Sequence, residues 1–203
     1  MRVRYSSYQG FRLSPILVLI AINFLLFIAV FTVIIVDPKL ANKLFSLFGL
    51  DPDIFWNQPW TILTSMFLHG GWWHIIANML TLYFFGSYLS RLVGEAKFLV
   101  VYFSGGILGG ILYLLLTPPD SPPAIGASGA IFALAGALVM MRPKLGVLVF
   151  PLPVPIPLWV AVIGGFLILS LLPFVAWQAH LGGLVFGLIA GYIFRKRERY
   201  FLF

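Results

Sequence analysis

The sequence predicts an all-α, polytopic membrane protein: a bundle of six transmembrane helices with a short central fourth helix. Three observations predict it. The 203 residues are 61% hydrophobic and only 9% charged, against roughly 45–50% apolar and about 25% charged in soluble domains. Apolar runs recur along the chain at lengths near the ~20 residues of a membrane span, separated by breakers at Asp37-Pro38, at Thr117-Pro118-Pro119-Asp120 and in the proline-rich stretch from Pro151 to Pro157. The 13 Lys and Arg residues fall almost wholly on one side of the bilayer that these runs define.

The elements follow in order. Residues 1–12 carry Arg2, Arg4 and Arg12 and are expected to be a cytoplasmic N-terminus. The first apolar run, Leu13–Val36, exceeds the ~7–15 residues of a signal-peptide core and has no clear small-residue cleavage site, so it reads as a retained span. Residues 37–71 form a long outer connection whose amphipathic pieces (Leu44, Phe45, Leu47, Phe48) suit a segment lying in the interface. The remaining spans are Trp72–Ser90, Lys97–Leu116, Ser128–Met141, Pro157–Leu172 and Trp177–Phe194, with a basic tail at 195–203. No repeat and no second domain is visible, so 1–203 reads as one membrane domain.

Charge sets the orientation. With the N-terminus inside, Arg2, Arg4, Arg12, Arg91, Lys97, Arg142, Lys144 and the four basic residues of the tail are all cytoplasmic. Only Lys39 and Lys43 lie outside, as the positive-inside rule requires. Both termini are then cytoplasmic. The net charge of +7 is thereby explained by topology, and no nucleic-acid partner is expected. The absence of cysteine excludes disulfides, thiolate chemistry and cysteine-based metal sites.

The candidate chemistry begins at the fourth helix. Its 14 residues rise about 21 Å, while the hydrocarbon core is about 30 Å thick. With Arg142 and Lys144 anchoring the inner end, Ser128 is expected roughly 9 Å below the outer surface. The preceding segment, Thr117–Ala127, must then be buried in protein or line a wet cavity. Ser128 stands between Gly126 and Gly129, which permit a tight turn and close approach, and a helix N-terminus offers free N–H groups for an oxyanion. Gly-x-Ser-Gly alone is a weak signal that by itself favours a helix-capping serine in a packing motif.

A nucleophilic serine needs a base. His180 opens the sixth helix, with Gly183, Gly187 and Gly191 following on the same helical stripe, where another backbone can approach. A histidine in a membrane helix is a functional candidate by default, its structural alternative being a bond to a backbone carbonyl. Ala190 is expected to face lipid. No carboxylate projects from the middle of a span, so the site reads as a Ser–His dyad. His74 and Asn78 share a face of the second helix and can donate to a developing oxyanion together with the Ser128 N–H. A metal held by His69, His74 and His180 is the weaker alternative, since no carboxylate or thiolate accompanies them; no metal and no cofactor are expected.

The stretches "GASGAIFALAG", "AHLGGLVFG" and "FLHGGWWHIIANM", in these helices, together resemble a rhomboid intramembrane serine protease of the prokaryotic type, over about Pro59 to Gly191. The resemblance implies a six-helix core in a prokaryotic plasma membrane, with Ser128 as nucleophile and His180 as general base. It also implies an oxyanion site of His74, Asn78 and the Ser128 amide, and cleavage of transmembrane-helix substrates near their outer ends. It points to "LLPFVAWQ", before His180, as a gate. Many relatives carry Trp-Arg where this chain has Trp60-Thr61, glutamate where it has Ser90, and some carry tyrosine where it has Phe132. The rival functions are a catalytically weak relative that binds transmembrane helices for quality control, and a small transporter or channel. The second would need a polar path through the inner half of the fourth helix, which reads "ALAGALVMM". The sequence sets no oligomeric state.

Overall fold

The structure, a computed structural model, describes residues 14–149 and 151–200, with side chains except those of 196–200. The N-terminal segment 1–12 and the end of the basic tail lie outside the described residues. Helix α1 (Pro15–Val36) buries Ile16, Leu19, Asn23 and Phe27, a single stripe at helical spacing, and leaves its other faces exposed. Asp37 ends it and at once starts α2 (Pro38–Phe48): its carboxylate accepts from the N–H groups of Lys39 and Leu40 at 3.0 Å each, with Pro38 in the first turn. The breaker in the sequence is therefore a cap. The amphipathic α2 buries only Ala41.

The 37–71 connection is more structured than the sequence suggests. A 3₁₀ turn (Phe55–Asn57), α3 (Thr61–Thr64) and a second 3₁₀ turn (Ser65–Phe67) follow. They are tied back to the end of α2 by Trp60 Nε1 donating to the Leu47 carbonyl at 2.9 Å and Thr64 Oγ1 donating to that of Phe48 at 2.8 Å. The second predicted span comprises α4 (Trp72–Thr81), a π-helical stretch (Leu82–Gly86) and α5 (Ser87–Val93), ending three residues beyond the predicted Ser90. Gly94, with φ of 87°, turns the chain into α6 (Glu95–Leu116).

Helix α7 (Ser128–Met141) has the predicted bounds and sits at the centre. Every residue but Ser128, Phe132 and Met140 is buried. The proline-rich connection after it departs from an all-α fold. Gly146–Val147 (β1) pairs antiparallel with Ile156–Pro157 (β2), because prolines cannot continue a helix and the paired ends find partners across the turn. Helices α8 (Leu158–Ser170) and α9 (Trp177–Tyr200) complete the chain. Pro157 is the cap of α8 rather than its first residue.

Helices α1, α6 and α9 (over Trp177–Arg195) are long and apolar enough to cross a membrane, and α7 and α8 are shorter apolar helices. The protein is a helical integral membrane protein. Ala190 corrects one expectation: it is 8% exposed, packed inward, whereas Val185, Ile189 and Ile193 face outward. Seven residues separate it from Gly183, nearly two full turns, so it returns to the inward face.

Candidate active site

Two parallel runs of small residues bring α7 and α9 together. A Cβ on Gly183 would fall on the Gly129 carbonyl, one on Gly187 on the Ala133 carbonyl, and one on Gly191 on the Ala137 carbonyl. Both runs advance four residues at a time, so the helices pack backbone to backbone in register. Helix α6 closes the third side: a Cβ on Gly109 would lie 2.6 Å from the Ala179 carbonyl, and one on Gly182 2.7 Å from that of Leu108.

Ser128 precedes Gly129 and His180 lies three residues before Gly183, so this register sets them side by side. Ser128 Oγ and His180 Nε2 are 2.7 Å apart across 52 residues of sequence. For the hydroxyl to donate, Nε2 must be unprotonated and Nδ1 must carry the proton. Among the described residues Nδ1 is buried without a hydrogen-bond partner. The imidazole is held by stacking on Phe132 of α7, with centroids 4.6 Å apart and planes at 31°. Phe132 in turn meets Phe166 of α8 edge-on at 6.0 Å.

The approach to Ser128 is pinned from several sides. Leu50 and Ala124 exchange backbone bonds of 2.8 and 3.0 Å, the Gly126 N–H donates to the Ser65 carbonyl at 2.8 Å, and the Tyr113 hydroxyl donates to the Pro122 carbonyl at 2.6 Å. The first bond into α7 is from the Ile131 N–H to the Ala127 carbonyl at 3.0 Å, so the N–H groups of Ser128, Gly129 and Ala130 have no partner inside the helix. A cavity of about 30 Å³, lined in part by Ser65, Met66, Gly106, Ser128 and Ala179, opens beside the serine. That is about one water's share of liquid volume.

His74 lies on the other side of the turn. Gly126 has φ of 113°, a left-handed conformation that favours glycine, and a Cβ there would come 2.6 Å from His74 Nε2. The Gly70 N–H donates to His74 Nδ1 in a long bond of 3.4 Å, which makes Nδ1 the acceptor and Nε2 the protonated nitrogen of a neutral ring. Asn78 is buried, but its side-chain amide donates to the His74 carbonyl at 2.7 Å, within its own helix, and its Oδ1 has no partner among the described residues. The structure thus brings Ser128, His180, Gly126 and Gly129 into one site with the His74 ring, and shows no bond from Asn78 to Ser128.

In the sequence His69 stands out only as a possible metal ligand. Its ring packs edge-on to His74 at 5.0 Å, and both nitrogens are buried without a side-chain hydrogen-bond partner. Burial, and secondarily the nearby His74, holds it well below the usual histidine range, at about 3. Among the described residues no three His, Cys, Asp or Glu side chains are grouped to hold an ion. The spacing of five between His69 and His74, either side of a Gly-Gly turn, is the signal that pairs them. The stretch suggested as a gate has Phe174 in a left-handed conformation, φ 62°, with its side chain almost wholly exposed.

A family model described as "Rhomboid domain" matches residues 56–197. The chain is 29% identical over 206 residues to "Rhomboid protein 1, mitochondrial" of Saccharomyces cerevisiae, covering 82% of this chain and 56% of that one. It is 38% identical over 85 residues to "Putative rhomboid protease YdcA" of Bacillus subtilis, covering 42% of each. It is also 34% identical over 88 residues to "Inactive RHOMBOID-like protein 8" of Arabidopsis thaliana, covering 43% of this chain and 24% of that one. The chain spans about half the length, or less, of these relatives.

Proposed function

The chain belongs to the rhomboid family, and from that premise we propose that it is a serine-type intramembrane endopeptidase cleaving transmembrane helices of other membrane proteins near their outer ends. The 2.7 Å contact between Ser128 Oγ and His180 Nε2 is the observation that carries this reading. His180 takes the proton as Ser128 attacks the scissile carbonyl. The oxyanion that forms lies within reach of the first N–H groups of α7 and of the protonated Nε2 of His74. Collapse breaks the C–N bond, and His180 delivers its proton to the departing amine. A water, for which the adjoining cavity has room, then gives a proton to His180 and attacks the acyl carbon, and the proton returns to Ser128 as the product acid leaves.

Asn78 takes a supporting part: by bonding the His74 carbonyl it holds the turn that carries the imidazole. Gly126 makes room for the His74 ring, while Gly129, Gly183 and Gly187 let the two helices come close enough for the dyad. A single membrane domain with six crossings, α4 and α5 together making the second, and both termini cytoplasmic is the arrangement that the basic residues support. We place it in a prokaryotic plasma membrane, although the matched relatives include a mitochondrial and a plant protein. The relative named as inactive favours the second reading, a catalytically weak protein that binds transmembrane helices for quality control.

Purified protein in proteoliposomes with a model single-span substrate separates the two. The expected result is cleavage by the wild type and none by Ser128→Ala. Binding of the substrate by both proteins without cleavage by either supports the second reading.

A further inference from the structure

The end of α7 away from Ser128 carries an arrangement that proteolysis does not use. Met141, Arg142, Pro143, Lys144 and Leu145 line an open depression of about 290 Å³. The guanidinium of Arg142 is fixed at its rim by donating to the Met141 carbonyl at 2.9 Å. Arg195 of α9 reaches the same helix end, donating to the Met140 carbonyl at 3.5 Å. The Leu158 N–H bonds the Leu145 carbonyl at 2.8 Å and so ties the start of α8 to one residue of the lining.

Beside the depression stands the β1–β2 hairpin. From Leu148 to Pro155 the sequence reads LVFPLPVP, with no polar side chain. Leu148 is 75% exposed and Val154 59%. Apolar side chains offered outward next to a basic depression at a membrane-facing helix end match one kind of partner, with an apolar body and an anionic head. Lys and Arg clustered beside the end of a transmembrane helix attract anionic phospholipid head groups.

We infer that this depression is a binding site for an anionic phospholipid, whose phosphodiester sits between Arg142 and Lys144 while its acyl chains lie along the exposed hairpin. Arg195, outside the lining but bonded to the Met140 carbonyl, adds a positive charge at the same helix end. The site is independent of the dyad, lying at the opposite end of α7.

The test uses the full chain reconstituted in phosphatidylcholine bilayers with or without phosphatidylglycerol. The lipids that remain bound after extraction are identified by native mass spectrometry, and hydrogen exchange is followed at residues 145–149. Wild type is expected to retain phosphatidylglycerol in preference to phosphatidylcholine, with slower exchange in the hairpin when it is present. Lys144→Gln should lower that preference several-fold, and Arg142→Gln/Lys144→Gln on the order of tenfold. Arg91→Gln removes one charge at the same membrane face without touching the depression, and should leave the preference unchanged. Lys144→Gln keeps the test decisive if the double variant does not insert. An unchanged preference in Lys144→Gln, or an equal loss in Arg91→Gln, overturns the site. So does protection of the hairpin by inorganic phosphate alone in phosphatidylcholine, which would mark an ion site instead.

Discussion

Gly126 carries two constraints at once, a left-handed backbone and a flank pressed on the His74 ring. Gly126→Ala must move one or the other, and a displacement of about 1 Å near reacting atoms can cost on the order of 10²-fold in rate. Its cleavage is therefore expected to fall strongly while thermal stability drops only modestly; full activity in this variant would remove His74 from the site. His74→Ala should lower kcat by about 10²–10³ with little change in KM, as for a lost oxyanion donor. Asn78→Ala is expected to do less, since one of its two amide donors is engaged with its own helix. An affinity loss with unchanged kcat in either would reassign them to substrate binding. Ser128→Ala and His180→Ala should each abolish cleavage, and the double variant should be no worse than either, because the two act as a unit. At this scale the sequence was informative where a residue was chemically odd for its surroundings: a serine between glycines and a histidine on a glycine stripe stand out in an apolar chain. It was silent on contacts across helices. Nothing in the spacing of Phe132 and His180 announces that one ring stacks on the other, and Asn78 has the right face but gives one of its two amide donors to its own helix.

The elements of the site are held by glycine, and the α7–α9 pairing is the sharpest case. Gly187→Val puts a branched side chain where the Ala133 carbonyl lies, and overpacking of this kind typically costs about 1–3 kcal/mol. The variant should still insert, with a modest fall in thermal midpoint and a strong loss of cleavage. Ile189→Leu, on the outward face of the same helix, should be nearly silent in both measurements. Unaltered cleavage in Gly187→Val would mean that the register of these two helices does not control the dyad. The stripe was legible because Gly183, Gly187 and Gly191 repeat at a helical interval; the same periodicity, applied to Ala190, would have shown it to be inward-facing. The bounds of α7 were legible for a related reason, with a Gly-Ser-Gly start and an Arg-Pro stop. The π-helical stretch Leu82–Gly86 and the β1–β2 ladder were not, since each depends on backbone partners that no local pattern specifies.

For the whole molecule, the basic residues and the alternation of apolar helices support one orientation. A reporter fused after Phe203 should read as cytoplasmic and one inserted near Asp120 as external. The reverse pattern would place the Ser128 end of α7 on the inner side. The helical membrane class was legible from composition alone, because 61% apolar residues cannot be buried by a soluble fold of this length. The order built into the 37–71 connection was not, since its ties to α2 run through single side chains such as Trp60 and Thr64. The claim on which everything else rests is that the molecule assembles an activated serine. Labelling with a fluorophosphonate probe, which reacts only with such a serine, measures it most directly. The account predicts labelling of the wild-type protein in bilayers, lost in Ser128→Ala and equally lost in His180→Ala. Labelling that persists in His180→Ala, or no labelling of a folded wild type, would contradict it.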